Sequence, residues 1–214
     1  MKFRLLAAVG LVLVLAAAPA QAQKGKSGGG TMLIGPWIGL NFASFSTSNL
    51  AGTSFSSRTG LAIGGQWERS FNPNLFLRIG AFYSMRGSSV TGGTIKLNYI
   101  EFPAVLGYRF AIQGSKVAPY VMAGGQFGIK ASCTAEGGGV SEDCDTGLGT
   151  KVTGTDIGVT LGGGVGFPMG SGTIKADVRY LISFTNLISS ATTSSTIKNE
   201  GFTIAAGYMI PFGR

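Results

Sequence analysis

The gaps between the strand-like segments of this chain alternate in length, and this constrains its fold more than any other feature. After a hydrophobic N-terminal segment, eight stretches have the residue pattern of β-strands, and the gaps between them run long, short, long, short, long, short, long. Such alternation is typical of an up-and-down barrel with tight turns on one side of a membrane and longer loops on the other. We therefore predict an all-β, eight-stranded antiparallel transmembrane β-barrel.

The gaps also differ in composition. The short ones contain the Gly, Pro, Asn and Ser residues that tight turns require, whereas the long ones are rich in Ser, Thr and Gly, as solvated loops are. The short gaps are residues 72–74, 113–115 and 169–172, and the long gaps are residues 46–58, 87–93, 131–152 and 187–200. The predicted strands are residues 32–45, 59–70, 75–86, 94–110, 117–130, 153–167, 173–186 and 201–212.

The N-terminus has the features of an export signal. Lys2 and Arg4 precede an apolar run over residues 5–18, which is too short to span a bilayer comfortably, and residues 20–22 form an Ala-x-Ala cleavage site. We predict a cleaved signal peptide at residues 1–22, a flexible leader at residues 23–30 and a barrel domain at residues 31–214. An uncleaved anchor remains the alternative for the first segment.

The composition favours a membrane barrel over a soluble domain. Glycine accounts for 36 of 214 residues, charged residues for only 12%, and the mean hydropathy is +0.32. A secreted lipocalin-like barrel is the alternative. The formal net charge of +8 falls to +6 without the signal peptide, and no basic helix or RNA-binding motif accompanies it, so we expect contact with anionic lipid rather than nucleic acid.

Alternation within the predicted strands assigns the charged residues to the barrel interior. Apolar residues share one face of the third, sixth and seventh strands, and if that face meets lipid, the opposite face lines the lumen. By the same phase in all the strands, the mid-strand charged residues that point into the lumen are Glu68, Arg78, Glu101, Arg109, Asp156, Lys175, Asp177 and Arg179. Because unpaired charges are costly in a narrow lumen, we predict a cross-lumen network of ion pairs that fills it. A narrow, gated conduit lined by the same charges is the alternative.

Four stretches carry a family resemblance. Residues 98–110 (NYIEFPAVLGYRF) resemble the strand signature of the porin-family, or PorT-like, outer-membrane β-barrel domain of Bacteroidetes-type bacteria. Residues 118–125, 156–166 and 177–180 are similar to three further strands of that family. The resemblance implies a barrel in a Gram-negative outer membrane, inserted by the outer-membrane assembly machinery through an aromatic-rich last strand. The even strand count predicts that both termini are periplasmic.

Catalytic and metal-binding motifs are missing from the sequence. The chain has no histidine, which excludes a Ser-His-acid hydrolase site and imidazole-ligated metals, and its glycine runs lack the residues of a phosphate-binding loop. We predict a non-enzymatic, monomeric protein without a cofactor.

The third long loop, residues 131–152, is the most distinctive. It holds both cysteines, Cys133 and Cys144, which we expect to form a disulfide in an oxidising compartment. Acidic residues surround them, and Ca²⁺ binding there is left open. We therefore carry three hypotheses: a filled barrel with a structural or surface-interaction role, a low-conductance pore for small solutes, and an adhesin or receptor that acts through this loop.

Overall fold

The computed structural model describes residues 31–48, 55–147, 151–188 and 196–212. The export signal and leader, residues 1–30, lie outside these ranges and stay predictions. The strands are β1 (Met32–Ser48), β2 (Ser56–Ser70), β3 (Leu75–Val90), β4 (Gly93–Arg109), β5 (Ala118–Gly137), β6 (Val140–Asp143), β7 (Thr155–Met169), β8 (Gly172–Ser183) and β9 (Thr196–Pro211), and one short helix, α1, spans Cys144–Gly147.

Eight of these strands close into a ring. Each pairs antiparallel with its neighbours in the order β1, β2, β3, β4, β5, β7, β8 and β9, and β9 pairs back to β1. The short strand β6 stands outside the ring, where it forms a hairpin with the end of β5. Among the described residues, no helix is long and apolar enough to cross a membrane. The predicted eight-stranded antiparallel barrel is confirmed.

The two ends of the barrel differ, and we call them the turn end and the loop end. At the turn end, β2–β3, β4–β5 and β7–β8 are joined by residues 71–74, 110–117 and 170–171, which overlap the predicted short gaps, although the β4–β5 connection is longer than predicted. At the loop end, two predicted loops are largely strand. β3 and β4 run on to a turn of only two residues, Thr91 and Gly92, and β5 continues to Gly137 before turning into β6.

The prediction that residues 87–93 and 131–152 are loops between strands is therefore wrong in large part. Serine and glycine indicate solvent exposure, but they do not prevent strand pairing. Ser88 is fully buried, and its hydroxyl donates to the Ser56 carbonyl oxygen at 2.7 Å, which ties β3 to the start of β2. Gly87 adopts a φ of 127°, where any side chain would collide with the Ile95 carbonyl across the hairpin, so only glycine fits there.

The two faces of the wall follow the predicted alternation. Large apolar side chains such as Ile79, Leu161 and Val178 are 43%, 48% and 46% exposed on the outside. Their neighbours in sequence, such as Arg78 and Asp177, are buried inside. An apolar exterior around a polar interior is the arrangement that a lipid environment requires.

Candidate functional site

The most distinctive site is the charged interior of the barrel. All eight charged residues that alternation assigns to the lumen lie on its inner face. Six of them form one connected group near the turn end, which we call the turn-end network: Glu68, Arg78, Arg109, Lys175, Asp177 and Arg179. The other two, Glu101 and Asp156, lie nearer the loop end and make separate contacts.

Glu68 is the centre of the turn-end network. Its side chain is fully buried, and it accepts hydrogen bonds from three cations. Arg78 donates through Nη2 at 2.8 Å, Arg109 through Nη2 at 2.5 Å and Lys175 through Nζ at 2.5 Å. These cations project from three different strands, so this one carboxylate links β2, β3, β4 and β8 across the lumen.

Asp177 extends the network to the opposite wall. Its Oδ2 accepts from Arg78 Nη1 at 2.8 Å and from the Tyr120 hydroxyl at 3.1 Å, and its Oδ1 accepts from Arg179 Nε at 2.9 Å. Arg179 also donates to Gln66 at 2.9 Å when the Gln66 amide is oriented with its oxygen toward the guanidinium, the orientation that satisfies both of its polar atoms. Arg78 therefore bridges two buried carboxylates, and both lose a partner if it moves.

Three aromatic rings fill the space between the cations, and the sequence analysis did not predict these contacts between rings and cations. The Phe76 ring lies 4.5 Å from the Arg109 guanidinium carbon and 5.1 Å from that of Arg78. Trp37 faces Arg78 at 5.3 Å, and Tyr120 faces it at 4.9 Å. Desolvated contacts of this kind are attractive because the ring face is electron-rich. Strand alternation places Phe76 inward, but it gives no distances across the lumen.

Phe76 fits because β4 makes room for it. It is fully buried, and it packs edge-to-face against Tyr120 with a centroid distance of 5.7 Å. A Cβ atom at Gly107, the residue opposite on β4, would overlap the ring. The section of the lumen at this level is thus occupied by side chains on all sides.

A second polar group lies toward the loop end, and it includes a cation that the sequence analysis missed. Arg86, which is 2% exposed, donates to both oxygens of Glu101, and the Ser84 hydroxyl donates to Glu101 at 2.8 Å. Asp156 accepts from Ser183 and, at 2.8 Å, from Asn199. Arg86 shares the inward parity of Arg78, but it lies at the predicted strand boundary and was not counted.

An apolar cluster closes the loop end above these groups, and we call it the loop-end cap. It combines residues near the loop-end termini of the long strands with residues from the connections between them. Its buried members are Phe45, Leu97, Tyr99, Cys133, Cys144, Val152, Leu187 and Ile197. The predicted disulfide between Cys133 and Cys144 is confirmed, and it joins β5 to α1 inside this cluster. Sequence reasoning did not predict the cap, because five of these eight residues come from segments predicted to be loops.

Two of the four acidic residues in the segment formed by β6, α1 and the end of β5 pair with cations. Glu136 pairs with Lys96, and Asp145 lies 3.7 Å from Lys130. The Val152 backbone N–H donates to Asp145 at 2.9 Å, and this bond holds the pKa of the carboxyl below its usual range. Within the described ranges, no three potential ligands gather closely enough to hold a metal ion.

Comparison with known proteins agrees with this architecture. The family model described as "Outer membrane protein beta-barrel domain" matches residues 8–209. The fold is similar to Neisserial surface protein A, with 16% identity, a TM-score of 0.53, and 85% of this chain and 97% of that chain covered. It is also similar to the outer membrane protein OprG from Pseudomonas aeruginosa, with 13% identity, a TM-score of 0.55, and 85% and 96% covered. No curated protein matches the chain significantly in sequence.

Proposed function

This chain belongs to the outer-membrane protein β-barrel domain family, and we propose that it is a closed, non-enzymatic member. In this proposal the β5–β6 hairpin, which the Cys133–Cys144 disulfide holds in place, is presented at the cell surface. The observation that carries the proposal is the presence of two barriers in series along the lumen. The turn-end network blocks one half with paired charges and aromatic rings, and the loop-end cap blocks the other with apolar side chains.

The turn-end network resists opening because its charges depend on one another. An eight-stranded barrel is just wide enough for side chains to fill it. A solute would have to displace Arg78 or Lys175 from Glu68, and removing one partner of a buried ion pair typically costs about 3–5 kcal/mol. The loop-end cap excludes ions for a different reason, since its buried side chains are predominantly apolar.

The proposal includes an orientation and a set of partners. We place the turn end in the periplasm, together with both termini, and the loop end outside the cell, because short periplasmic turns and longer outer loops are usual in such barrels. The apolar outer face contacts membrane lipid, the assembly machinery inserts the chain, and the barrel is a monomer. The motif at residues 98–110 supports a place among the PorT-like members of the family.

Solute flux tests whether both barriers matter. The refolded barrel is placed in liposomes, folding is checked by heat-dependent gel mobility, and release of a small ion is measured. The wild type is expected to release nothing above protein-free liposomes. Leu97→Ala with Leu187→Ala opens the loop-end cap, and Phe76→Ala with Arg109→Ala opens the turn-end network. We expect neither pair to conduct alone, and we expect the four changes together to conduct.

The matched control is an alanine pair on the lipid face, Leu161→Ala with Ile204→Ala, which removes similar side chains without touching the lumen. It should remain impermeable. Flux through the folded wild type would overturn the proposal and favour the low-conductance pore. If one double variant alone conducts, the barrier that it leaves intact does not block the lumen.

The hairpin formed by β5 and β6 favours a second candidate, a surface adhesin or receptor. All four residues of β6 are exposed, Val140 is 58% exposed, and the disulfide fixes the hairpin to the loop-end cap. The test replaces Val140–Asp143 with glycine and serine in cells that display the barrel, and compares their adhesion to protein-coated surfaces with that of wild-type cells. Lost adhesion with normal folding supports this role, and unchanged adhesion rejects it.

A further inference from the structure

The two ends of the barrel differ in side-chain charge. All nine aspartate and glutamate residues of the chain lie within the described ranges. In the lumen they are Glu68, Glu101, Asp156 and Asp177. In the loop half of the wall and in the hairpin they are Glu136, Glu142, Asp143, Asp145 and Glu200. No side-chain carboxylate is therefore left on the outer surface of the turn end.

Two cations at the turn end are unpaired. Arg69, the penultimate residue of β2, and Lys116, in the β4–β5 connection, are exposed. Neither side chain makes an ion pair or a hydrogen bond with any described residue. Every other described arginine and lysine, including Arg58 and Lys130, lies in the lumen or the loop half, where the carboxylates are. The described part of the turn end thus presents two positive charges without a counter-charge.

The two cations lie on one continuous section of the barrel rim. β2, β3, β4 and β5 are consecutive in the ring, so the β2–β3 turn and the β4–β5 connection are neighbours. The Asn74 side-chain amide donates to the Arg109 carbonyl oxygen at 2.9 Å, and the Arg109 backbone N–H donates to the Asn74 carbonyl oxygen at 2.8 Å. These bonds hold the two connections side by side, so one extended surface can contact both cations.

Apolar side chains surround Arg69. Trp67 precedes it by two residues on β2 and therefore points to the same outer face. The cross-strand partners of Trp67 are Ile34 and Ile79, which are exposed on the apolar wall. Phe71, two residues after Arg69, is 51% exposed at the start of the turn. Arg69 thus lies where the apolar wall ends, which is the level of the lipid headgroups in a membrane barrel.

The β4–β5 connection has the same mixed character. Tyr108 and Phe110 meet edge-to-face at the end of β4, with a centroid distance of 5.2 Å. Ile112 is 52% exposed, and Val117, next to Lys116, is 38% exposed. Apolar side chains are unfavourable in water, whereas at a membrane surface they enter the acyl region while adjacent cations remain among the headgroups. This composition favours a lipid surface over a water-soluble polyanion.

We propose that the turn-end rim, formed by Trp67, Arg69, Phe71, Ile112 and Lys116, binds the headgroups of anionic phospholipids. Arg69 and Lys116 donate hydrogen bonds to phosphate oxygens, and the apolar side chains lie against the acyl chains beside them. A headgroup with a net negative charge binds better than a zwitterionic one, because the rim has no carboxylate for an ammonium group. The rim meets the periplasmic leaflet in the proposed orientation, but its lipid preference requires neither that orientation nor a closed lumen, so the two proposals fail separately.

Trp67 reports which lipid lies next to Arg69. The barrel is refolded in vesicles of equal amounts of phosphatidylcholine and phosphatidylglycerol, in which one lipid or the other carries bromine on its acyl chains and quenches nearby tryptophan. Trp37, the only other tryptophan, is buried in the lumen and gives the same background in both. We expect phosphatidylglycerol to associate about fivefold more strongly at Trp67, the ratio for about 1 kcal/mol per cation near an anionic surface. Equal quenching by the two lipids would overturn the proposal.

Substitutions assign the preference to the cations. Arg69→Gln should abolish it, and Arg69→Lys should keep most of it because the charge remains. Lys198→Gln, which removes a cation from the loop half of β9, is the matched control and should leave quenching of Trp67 unchanged. A preference that persists in Arg69→Gln would refute the role of this residue.

The second cation needs its own reporter. Tyr108→Trp with Trp67→Phe places the tryptophan on β4 near the connection that holds Lys116. The preference for phosphatidylglycerol should reappear at this position, and adding Lys116→Gln should remove it. Equal quenching by both lipids before Lys116 is changed would exclude Lys116 from the site.

Cosedimentation with isolated peptidoglycan tests the water-soluble alternative, since the peptide carboxylates of that polymer would meet the same cations. The folded wild type in detergent is expected to stay in the supernatant. Cosedimentation that Arg69→Gln with Lys116→Gln abolishes would assign the rim to peptidoglycan and overturn the proposal.

Discussion

Neutralising Glu68 should destabilise the barrel more than any comparable change at its surface. Glu68→Gln keeps the shape of the side chain and one acceptor oxygen, but it removes the only carboxylate that contacts Arg109 and Lys175 within the described residues. Asp177 would then be the one carboxylate left among four cations. Because breaking a fully buried ion pair typically costs about 3–5 kcal/mol, we expect a loss of that size in the free energy of unfolding.

The assay is urea-induced unfolding of the barrel in lipid vesicles, followed by tryptophan fluorescence. Trp37 is a suitable probe because it is buried against Arg78 and Arg179 in the same section of the lumen. Glu68→Gln combined with Lys175→Met should recover part of the loss, since it removes the cation that Glu68 no longer neutralises.

Glu136→Gln is the matched control. Glu136 pairs with Lys96 at the surface, where the two side chains are 37% and 38% exposed, and exposed pairs contribute about 0–1 kcal/mol. If Glu68→Gln costs no more than Glu136→Gln, the turn-end network does not stabilise the barrel and the reasoning is refuted. A double variant less stable than Glu68→Gln alone would also contradict it.

Three further predictions concern the aromatic ring, the disulfide and one surface carboxylate. Phe76→Ala should lower the free energy of unfolding by about 3–5 kcal/mol in the same assay, and a loss below 1 kcal/mol would show that the ring is not needed. Reduction of Cys133–Cys144 should expose the hairpin to protease while heat-dependent gel mobility of the barrel is unchanged; cleavage at the same rate before and after reduction would refute a stapling role. Since the folded pKa of Asp145 is lowered, its bond to the Val152 N–H stabilises the hairpin above the ordinary pKa near 4 and is lost as the pH falls. Amide protection of Val152 should therefore decrease in acid, and it should not depend on pH in this range in Asp145→Asn.

Strand alternation was sufficient to predict which charged residues face the lumen. Successive side chains of a strand point to opposite faces, so Lys175, Asp177 and Arg179 must lie on the same side of β8. The export signal and the apolar opposite face then indicated which side meets lipid. Local geometry thus determines orientation without any knowledge of the partner strands.

The pairing of those charges could not be predicted in this way. Glu68 meets Lys175 across the barrel, and that meeting depends on how far the strands are staggered around the ring, which no local pattern records. Arg86 was missed because the predicted strand ended there, although β3 continues to Val90.

The loop-end cap was missed because composition was taken as a sign of irregular structure. Leu97, Leu187 and Ile197 are apolar residues within or beside Ser- and Thr-rich segments, and their burial depends on contacts between segments far apart in sequence. Only the closed ring brings these segments together over one opening.

Single-channel conductance tests the central claim most directly. The folded wild-type barrel is inserted into a planar lipid bilayer in symmetrical potassium chloride, and insertion is verified by recovering the heat-modifiable protein from the membrane. If the turn-end network and the loop-end cap both block the lumen, the current should equal that of the protein-free bilayer at every voltage that the bilayer tolerates. Reproducible unitary current steps from the inserted wild type would contradict the account and identify the charged lumen as a conducting path.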